Sequence, residues 1–226
     1  MNIALILAAG SGTRMNNELP KQFVLVNNKP LFLYSVETFQ NNPNIDAIII
    51  ATNETYLEET KAYVHSFNKV KTVIIGGASR QGSVYNGLQE IAKFASNDDI
   101  VLIHDSARPL VTDRIINDNI KVCEQYDAAG TVIPASDTII QSFDEKTIGE
   151  ILNRQELYQA QTPQTFRFNV IKDAHEEAHI NSIPNVTDDC RLVKYFGKNV
   201  YFVKGDKLNF KVTTPEDLEM LKALIK

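Results

Sequence analysis

Ile3-Ala4-Leu5-Ile6-Leu7-Ala8-Ala9-Gly10-Ser11-Gly12-Thr13-Arg14-Met15, with Leu19-Pro20-Lys21-Gln22 close behind, decides how this chain is read. The continuous apolar run at 3–7, bounded by glycine, fits a strand buried on both faces, as in a parallel sheet. Gly10 and Gly12 let the backbone turn sharply and approach a ligand closely, so that successive N–H groups converge on phosphate oxygens. Arg14 and Lys21 add charge where a polyphosphate would lie, Arg14 as a planar fork and Lys21 as a point charge. The plain alternative is an ordinary βα turn with surface cations. Two phosphate motifs fail the comparison: a dinucleotide-binding fingerprint needs a third glycine where Met15 stands, and a Walker A loop needs a later Gly-Lys-Ser/Thr. If the loop cradles a phosphate, it does so as another type.

Working outward, apolar runs at 46–51, 70–75 and 100–103 alternate with helical patterns at 30–39, 54–67 and 81–94. Such alternation implies right-handed βαβ crossovers, hence an α/β fold with a parallel sheet. Beyond it come a polar helix at 113–126, a strand at 129–134 continuing extended through 136–140, and an apolar-poor hairpin excursion at 141–151 that cannot hold a core alone. Residues 159–167 read as a polar loop, 169–179 as a helix, and 200–203 and 210–212 as strands. Thr187 is a natural N-cap for a short helix, and Thr214-Pro215-Glu216-Asp217 carries the signals of a last helix start.

Ligands of open α/β sheets gather beyond the carboxyl ends of the strands, which selects three further segments on the same edge as the opening loop. One is Ala51-Thr52. In Gly76-Gly77-Ala78-Ser79-Arg80-Gln81-Gly82-Ser83, Arg80 or Ser83 at a helix start binds a base or phosphate, or Ser79 simply caps the helix. In His104-Asp105-Ser106-Ala107-Arg108-Pro109, Asp105 holds Mg²⁺ or a substrate hydroxyl, or pairs with Arg108 to shape the turn. Further along, Arg154 and Thr162 reach a substrate phosphate or belong to a solvated loop. Lys211 is a ligand cation or a solvated strand residue.

The 226 residues carry a net charge of −5, with 43% hydrophobic and 23% charged residues, an ordinary globular composition. The acidic balance argues against a nucleic-acid partner, so any anionic ligand depends on local cations. Cys123 and Cys190 form no CxxC or disulfide framework, which makes reduced cytoplasmic thiols the expectation. No run approaches the ~18 apolar residues of a membrane span. His175-Glu176-Glu177-Ala178-His179 matches the HExxH pattern of zinc peptidases, but Ser182-Ile183-Pro184 ends the helix and no later His supplies a third nitrogen. A Glu or Asp remains open as that ligand; a solvated helix end is the preferred reading.

Taken together, Ala8 to Met15 with Pro20-Lys21-Gln22, and the later motifs through residue 221, resemble the cytidylyltransferases that activate phosphorylated polyols. The resemblance implies a Rossmann-like, mostly parallel sheet with helices on both faces, in one nucleotidyltransferase domain over 1–226 with a dimerisation arm near 137–158. It also implies CTP, Mg²⁺ with Asp105 as the candidate ligand, and a homodimer. By position it assigns Arg14, Lys21 and Lys211 to charge stabilisation, and Ala8, Ala9, Gly10, Ser11, Gly12, Thr13, Gly77, Arg80, Ser83 and Ala107 to CTP. Asp105, Arg108, Thr138, Arg154, Thr162 and Thr187 fall to the polyol phosphate, together with Lys211, with Thr138 and Arg154 lent by the other subunit. Ala8-Ala9-Gly10 and residues 83–88 look like the methylerythritol 4-phosphate branch. Asp137-Thr138-Ile139-Ile140 lacks that branch's usual lysine, and residues 131–133, 157–159 and 189–191 look like the ribitol 5-phosphate branch. The expectation is therefore CMP transfer to ribitol 5-phosphate, with methylerythritol 4-phosphate as the alternative.

Overall fold

The computed structural model describes residues 1–10, 19–183, 186 and 188–225. Its strands are β1 (Asn2–Ala8), β2 (Leu25–Val26), β3 (Lys29–Pro30), β4 (Ala47–Thr52), β5 (Val70–Ile75), β6 (Ile100–Asp105), β7 (Ala128–Pro134), β8 (Ile140–Gln141), β9 (Glu150–Ile151), β10 (Tyr158–Arg167) and β11 (Tyr201–Lys204). The α-helices are α1 (Leu31–Asn41), α2 (Leu57–Val64), α3 (Arg80–Ile91), α4 (Asp113–Tyr126), α5 (Phe168–Ile180), α6 (Asp189–Tyr195) and α7 (Pro215–Leu224). No helix among the described residues is long and apolar enough to cross a membrane.

Seven strands form one sheet in the order β11-β7-β10-β6-β1-β4-β5. Pairing is parallel along β5-β4-β1-β6 and at β7-β11, and antiparallel on both sides of β10. The α/β class and the mostly parallel sheet are as expected. β1 lies near the middle because its side chains are apolar in both directions: Ile3 and Leu5 face one layer, Ala4 and Ile6 the other. On one side Ile6, Ile48, Ile50 and Leu102 pack with Phe32 and Phe39 of α1 and Ile116 of α4. On the other, Leu5, Ile49, Val101 and Ile103 pack with Val84 and Leu88 of α3 and Ile171 of α5. Each such fully buried aliphatic contributes about 1.5–3 kcal/mol over its exposed state.

Register turns this packing into a site. Ala8 pairs with Thr52 and Leu7 with Asp105, so the carboxyl ends of β1, β4 and β6 finish at one level. The turns after them open on a common edge.

The structure departs from the sequence reading in four places. Residues 159–167 are no loop but most of β10, an interior strand whose polar side chains at Gln161, Thr162, Gln164 and Thr165 are buried and satisfied from afar: Gln161 Nε2 donates to Asp206 O at 2.8 Å, and Thr165 Oγ1 to Asn119 Oδ1 at 3.2 Å. Residues 210–212 are irregular, not a strand. Asp188 caps α6 by accepting from Arg191 N; Thr187, proposed for that role, lies outside the described residues. His175 is buried and bonded to Asp189, not at a solvated helix end.

The hairpin excursion is present as β8 paired with β9, Ile140 opposite Ile151. Ile140, Phe143, Ile148 and Ile151 on it are exposed.

Candidate active site

A cavity of about 500 Å³ opens on this sheet edge, lined among others by Ala9, Gly10, Lys21, Gly77, Arg80, Asp105 and Lys211. The segments after β1, β4, β5 and β6 meet there because these strands end at the same depth, and Lys21 and Lys211 join them from elsewhere in the chain. Gln22 holds the opening turn: its Nε2 donates to Ala8 O at 2.8 Å and to Gly10 O at 2.6 Å. This clamp explains why a buried glutamine follows Lys21. Lys21 itself is buried, and its Nζ donates to Val212 O at 2.9 Å. Ser11, Gly12, Thr13 and Arg14, proposed for CTP and for charge stabilisation, lie outside the described residues.

At the start of α3, Ser79 caps the helix by accepting from Gly82 N, and Ser83 Oγ accepts from Gly77 N at 3.0 Å while donating to Ser79 O at 2.9 Å. Ser79 thus caps the helix, and Arg80 and Ser83, read from the sequence as binding a base or phosphate, line the cavity. A Cβ on Gly77 would fall 2.5 Å from the carbonyl carbon of Gly82, so backbone packs there where no side chain fits.

The electrostatic centre is Asp105, at the end of β6. Its Oδ1 accepts from Arg80 Nε at 3.2 Å and its Oδ2 from Lys211 Nζ at 2.6 Å. Burial opposes its charge, but Arg80, Lys211 and Arg108 hold its carboxyl well below the usual carboxylate range. Arg80 also donates through Nη1 to Asp189 Oδ2 at 2.6 Å. Burial works against its charge too, yet the two carboxylates hold it protonated above the ordinary arginine range.

The Asp105–Arg108 pair read from the sequence is replaced by these partners. Arg108 instead donates to Asn209 O at 2.8 Å and Ala160 O at 3.3 Å, and burial lowers its pKa. It lines a second cavity of about 370 Å³ with Ser136, Gln159, Lys207 and Lys211 among others. Lys211 thus borders both cavities.

Thr162 lies beneath the site, not in its lining. Its Oγ1 accepts from Asp105 N at 3.1 Å and meets His104 Nδ1 at 3.0 Å, while His104 Nε2 lies 3.1 Å from Arg108 O. In the neutral ring these partners select one tautomer, in which Nε2–H donates to the carbonyl and Nδ1 accepts from the hydroxyl. Burial lowers the His104 pKa to about 4. Ala107 lines the first cavity, and its carbonyl accepts from Val212 N at 2.8 Å. Thr138 is exposed, and Arg154 donates to Ser136 O at 2.9 Å at the root of the hairpin. Neither lines the two cavities in this single chain. Asn53, Thr213 and Lys207 went unnoticed in the sequence; Asn53 directly follows β4, and the strand-end rule alone would have found it.

Mg²⁺ bound by Asp105 does not fit this arrangement. Both carboxylate oxygens already carry a cationic partner, and no group of three His, Cys, Asp or Glu suited to a metal ion occurs among the described residues. That also removes the zinc reading of His175 and His179.

Comparison with known proteins places the whole chain. Residues 2–226 match the family model described as IspD, 2-C-methyl-D-erythritol 4-phosphate cytidylyltransferase. A protein of that name from Clostridium botulinum (strain Loch Maree / Type A3) is 41% identical over 219 residues, covering 96% of this chain and 94% of the relative. A ribitol-5-phosphate cytidylyltransferase from Lacticaseibacillus paracasei is 36% identical over 231 residues, covering 100% and 98%. The crystal structure of the Francisella tularensis 2-C-methyl-D-erythritol 4-phosphate cytidylyltransferase superposes with a TM-score of 0.85 at 31% identity, covering 98% of each chain.

Proposed function

This chain belongs to the 2-C-methyl-D-erythritol 4-phosphate cytidylyltransferase family, and on that premise we propose that it transfers CMP from CTP to 2-C-methyl-D-erythritol 4-phosphate, releasing pyrophosphate. It is a CTP-dependent nucleotidyltransferase acting on a phosphorylated polyol. The ribitol preference drawn from a few short segments gives way to the alternative, because similarity along the full chain is higher to the methylerythritol relative than to the ribitol one.

One observation carries the reading: Lys211 stands between a larger cavity lined by Gly77, Lys21 and Arg80 and a smaller cavity lined by Arg108 and Lys207. Two anionic substrates then meet at one lysine. An oxygen of the acceptor phosphate attacks the α-phosphorus of CTP, the bond to the β-phosphate oxygen breaks, and that oxygen keeps the electron pair. The attacking oxygen is already anionic, so the chain supplies position and positive charge rather than a base. Lys21, anchored on Val212 O, and Lys211, oriented by Asp105, place that charge. Mg²⁺ is proposed only as the counter-ion that nucleotide phosphates carry, without Asp105 as ligand.

The exposed apolar side chains of the hairpin support a homodimer in which the hairpin covers a second copy, bringing Thr138 and Arg154 toward the partner's acceptor cavity. The free thiols Cys123 and Cys190 accord with a cytoplasmic protein.

The test is pyrophosphate release from CTP with each polyol phosphate in parallel. The expected result is a kcat/KM for methylerythritol 4-phosphate higher by more than about tenfold. Equal or reversed rates overturn the acceptor, and silence with both overturns the activity.

A further inference from the structure

The two histidines of the HExxH pattern part company in the fold. His179 stacks on Tyr85 with ring centroids 4.8 Å apart. His175 turns inward, its Nε2 3.0 Å from Asp189 Oδ1. The second oxygen of Asp189 holds Arg80 Nη1, Arg80 Nε holds Asp105, and Asp105 holds Lys211. Donors and carboxylates alternate from the core of α5 to the cavity.

The proton on His175 follows from its neighbours. A bare nitrogen facing a carboxylate would be repelled, so Nε2 carries the proton and donates, while Nδ1 is buried without a partner among the described residues. Leaving a buried polar group unpaired costs about 1–3 kcal/mol. The fold tolerates that cost in order to place one N–H against Asp189 Oδ1.

The consequence falls on Arg80. Its planar fork matches a carboxylate in a bidentate manner whenever both oxygens are open. With Oδ1 of Asp189 occupied by His175, the guanidinium meets only Oδ2 there and keeps Nε on Asp105. Without that donor, both oxygens of Asp189 would be open to the fork, drawing Arg80 off Asp105 and out of the cavity that it lines.

We propose that His175 and Asp189 are positioning residues for nucleotide binding, acting through Arg80, an inference that rests on reading the larger cavity as the CTP site. The experiment measures equilibrium CTP binding and both KM values for the full chain carrying His175→Gln, His175→Asn or His175→Leu. A glutamine amide nitrogen reaches the place of Nε2, whereas an asparagine amide falls near Nδ1 and a leucine donates nothing. CTP binding is expected to weaken about tenfold in the Asn and Leu variants and to stay within about threefold in the Gln variant, scaled to one charge-assisted hydrogen bond. The KM for the acceptor is expected to move less than about threefold in all of them. Equal CTP affinities for the Gln and Asn variants, or equal losses for both substrates, overturn the proposal. The Gln and Asn pair decides the matter even if the Leu variant fails to fold. A wild-type chain that does not bind CTP overturns the functional reading itself.

Discussion

Asp105 Oδ2 accepts a hydrogen bond from Lys211 Nζ at 2.6 Å, joining the end of β6 to a segment 106 residues later. Arg80 occupies the other oxygen, so each carboxylate oxygen of the aspartate holds one cationic side chain.

Replacing Lys211 by methionine removes the charge shared by the two cavities and keeps the bulk of its stem. Turnover is expected to fall on the order of a hundredfold or more, as for a lost transition-state donor. CTP affinity is expected to change less than about threefold. Steady-state kinetics with direct CTP titration checks the split, and equal losses in kcat and affinity would show Lys211 to be a ground-state contact.

An Asp105→Asn enzyme discriminates between orienting and metal-binding roles. The neutral amide leaves Lys211 undirected and Arg80 held by Asp189 alone, so activity is expected to fall on the order of tenfold to a hundredfold. Raising Mg²⁺ across its titration range should leave that deficit unchanged. Recovery of activity with added Mg²⁺ would restore Asp105 as a ligand.

Gly77→Ala places a methyl 2.5 Å from the carbonyl carbon of Gly82 and 2.7 Å from its Cα, where backbone and not a flexible side chain must give way. A stability loss of about 1–3 kcal/mol is expected for such overpacking. The shifted α3 start should also weaken CTP binding about tenfold or more. Thermal melting and CTP titration read the two effects, and a variant unchanged in both would contradict the tight turn.

His104 ties acid stability to the floor of the site. Its folded pKa is about 4, lowered first by burial, against an unfolded value near 6.5. Between those values the unfolded chain binds a proton that the folded chain does not, so stability is full above about pH 6.5 and declines as pH falls toward about 4. The contribution lost is on the order of 3 kcal/mol. Urea unfolding at pH 7 and pH 4.5 should show the decline, and His104→Gln should flatten it; an equal pH dependence in the variant would exclude His104 as its source.

Much of the fold was legible because its signals are local. The apolar run of β1, the caps at Ser79 and Thr214 and the alternation of strands and helices depend on neighbours a few residues apart, and all recur in the structure. The strand-end rule then brought Gly77, Arg80, Asp105 and the opening turn to one edge. β10 was not legible: Gln161, Thr162, Gln164 and Thr165 look like a solvated loop until Asp206, His104, Asp188 and Asn119 satisfy them across the fold.

By itself, then, the sequence determined the α/β class with its parallel strands, the edge on which the glycine-rich turn and the charged residues gather, and the resemblance that names the chemistry, since periodicity and turn residues act over short range. Only the tertiary structure decided the partners of the charged groups. Asp105 took Arg80 and Lys211 as partners instead of Arg108, Thr162 came to lie beneath the cavity against Asp105 and His104, and His175 joined a buried chain instead of a solvated helix end. Each choice depends on which groups lose water together, and that is set by packing between residues far apart in the chain.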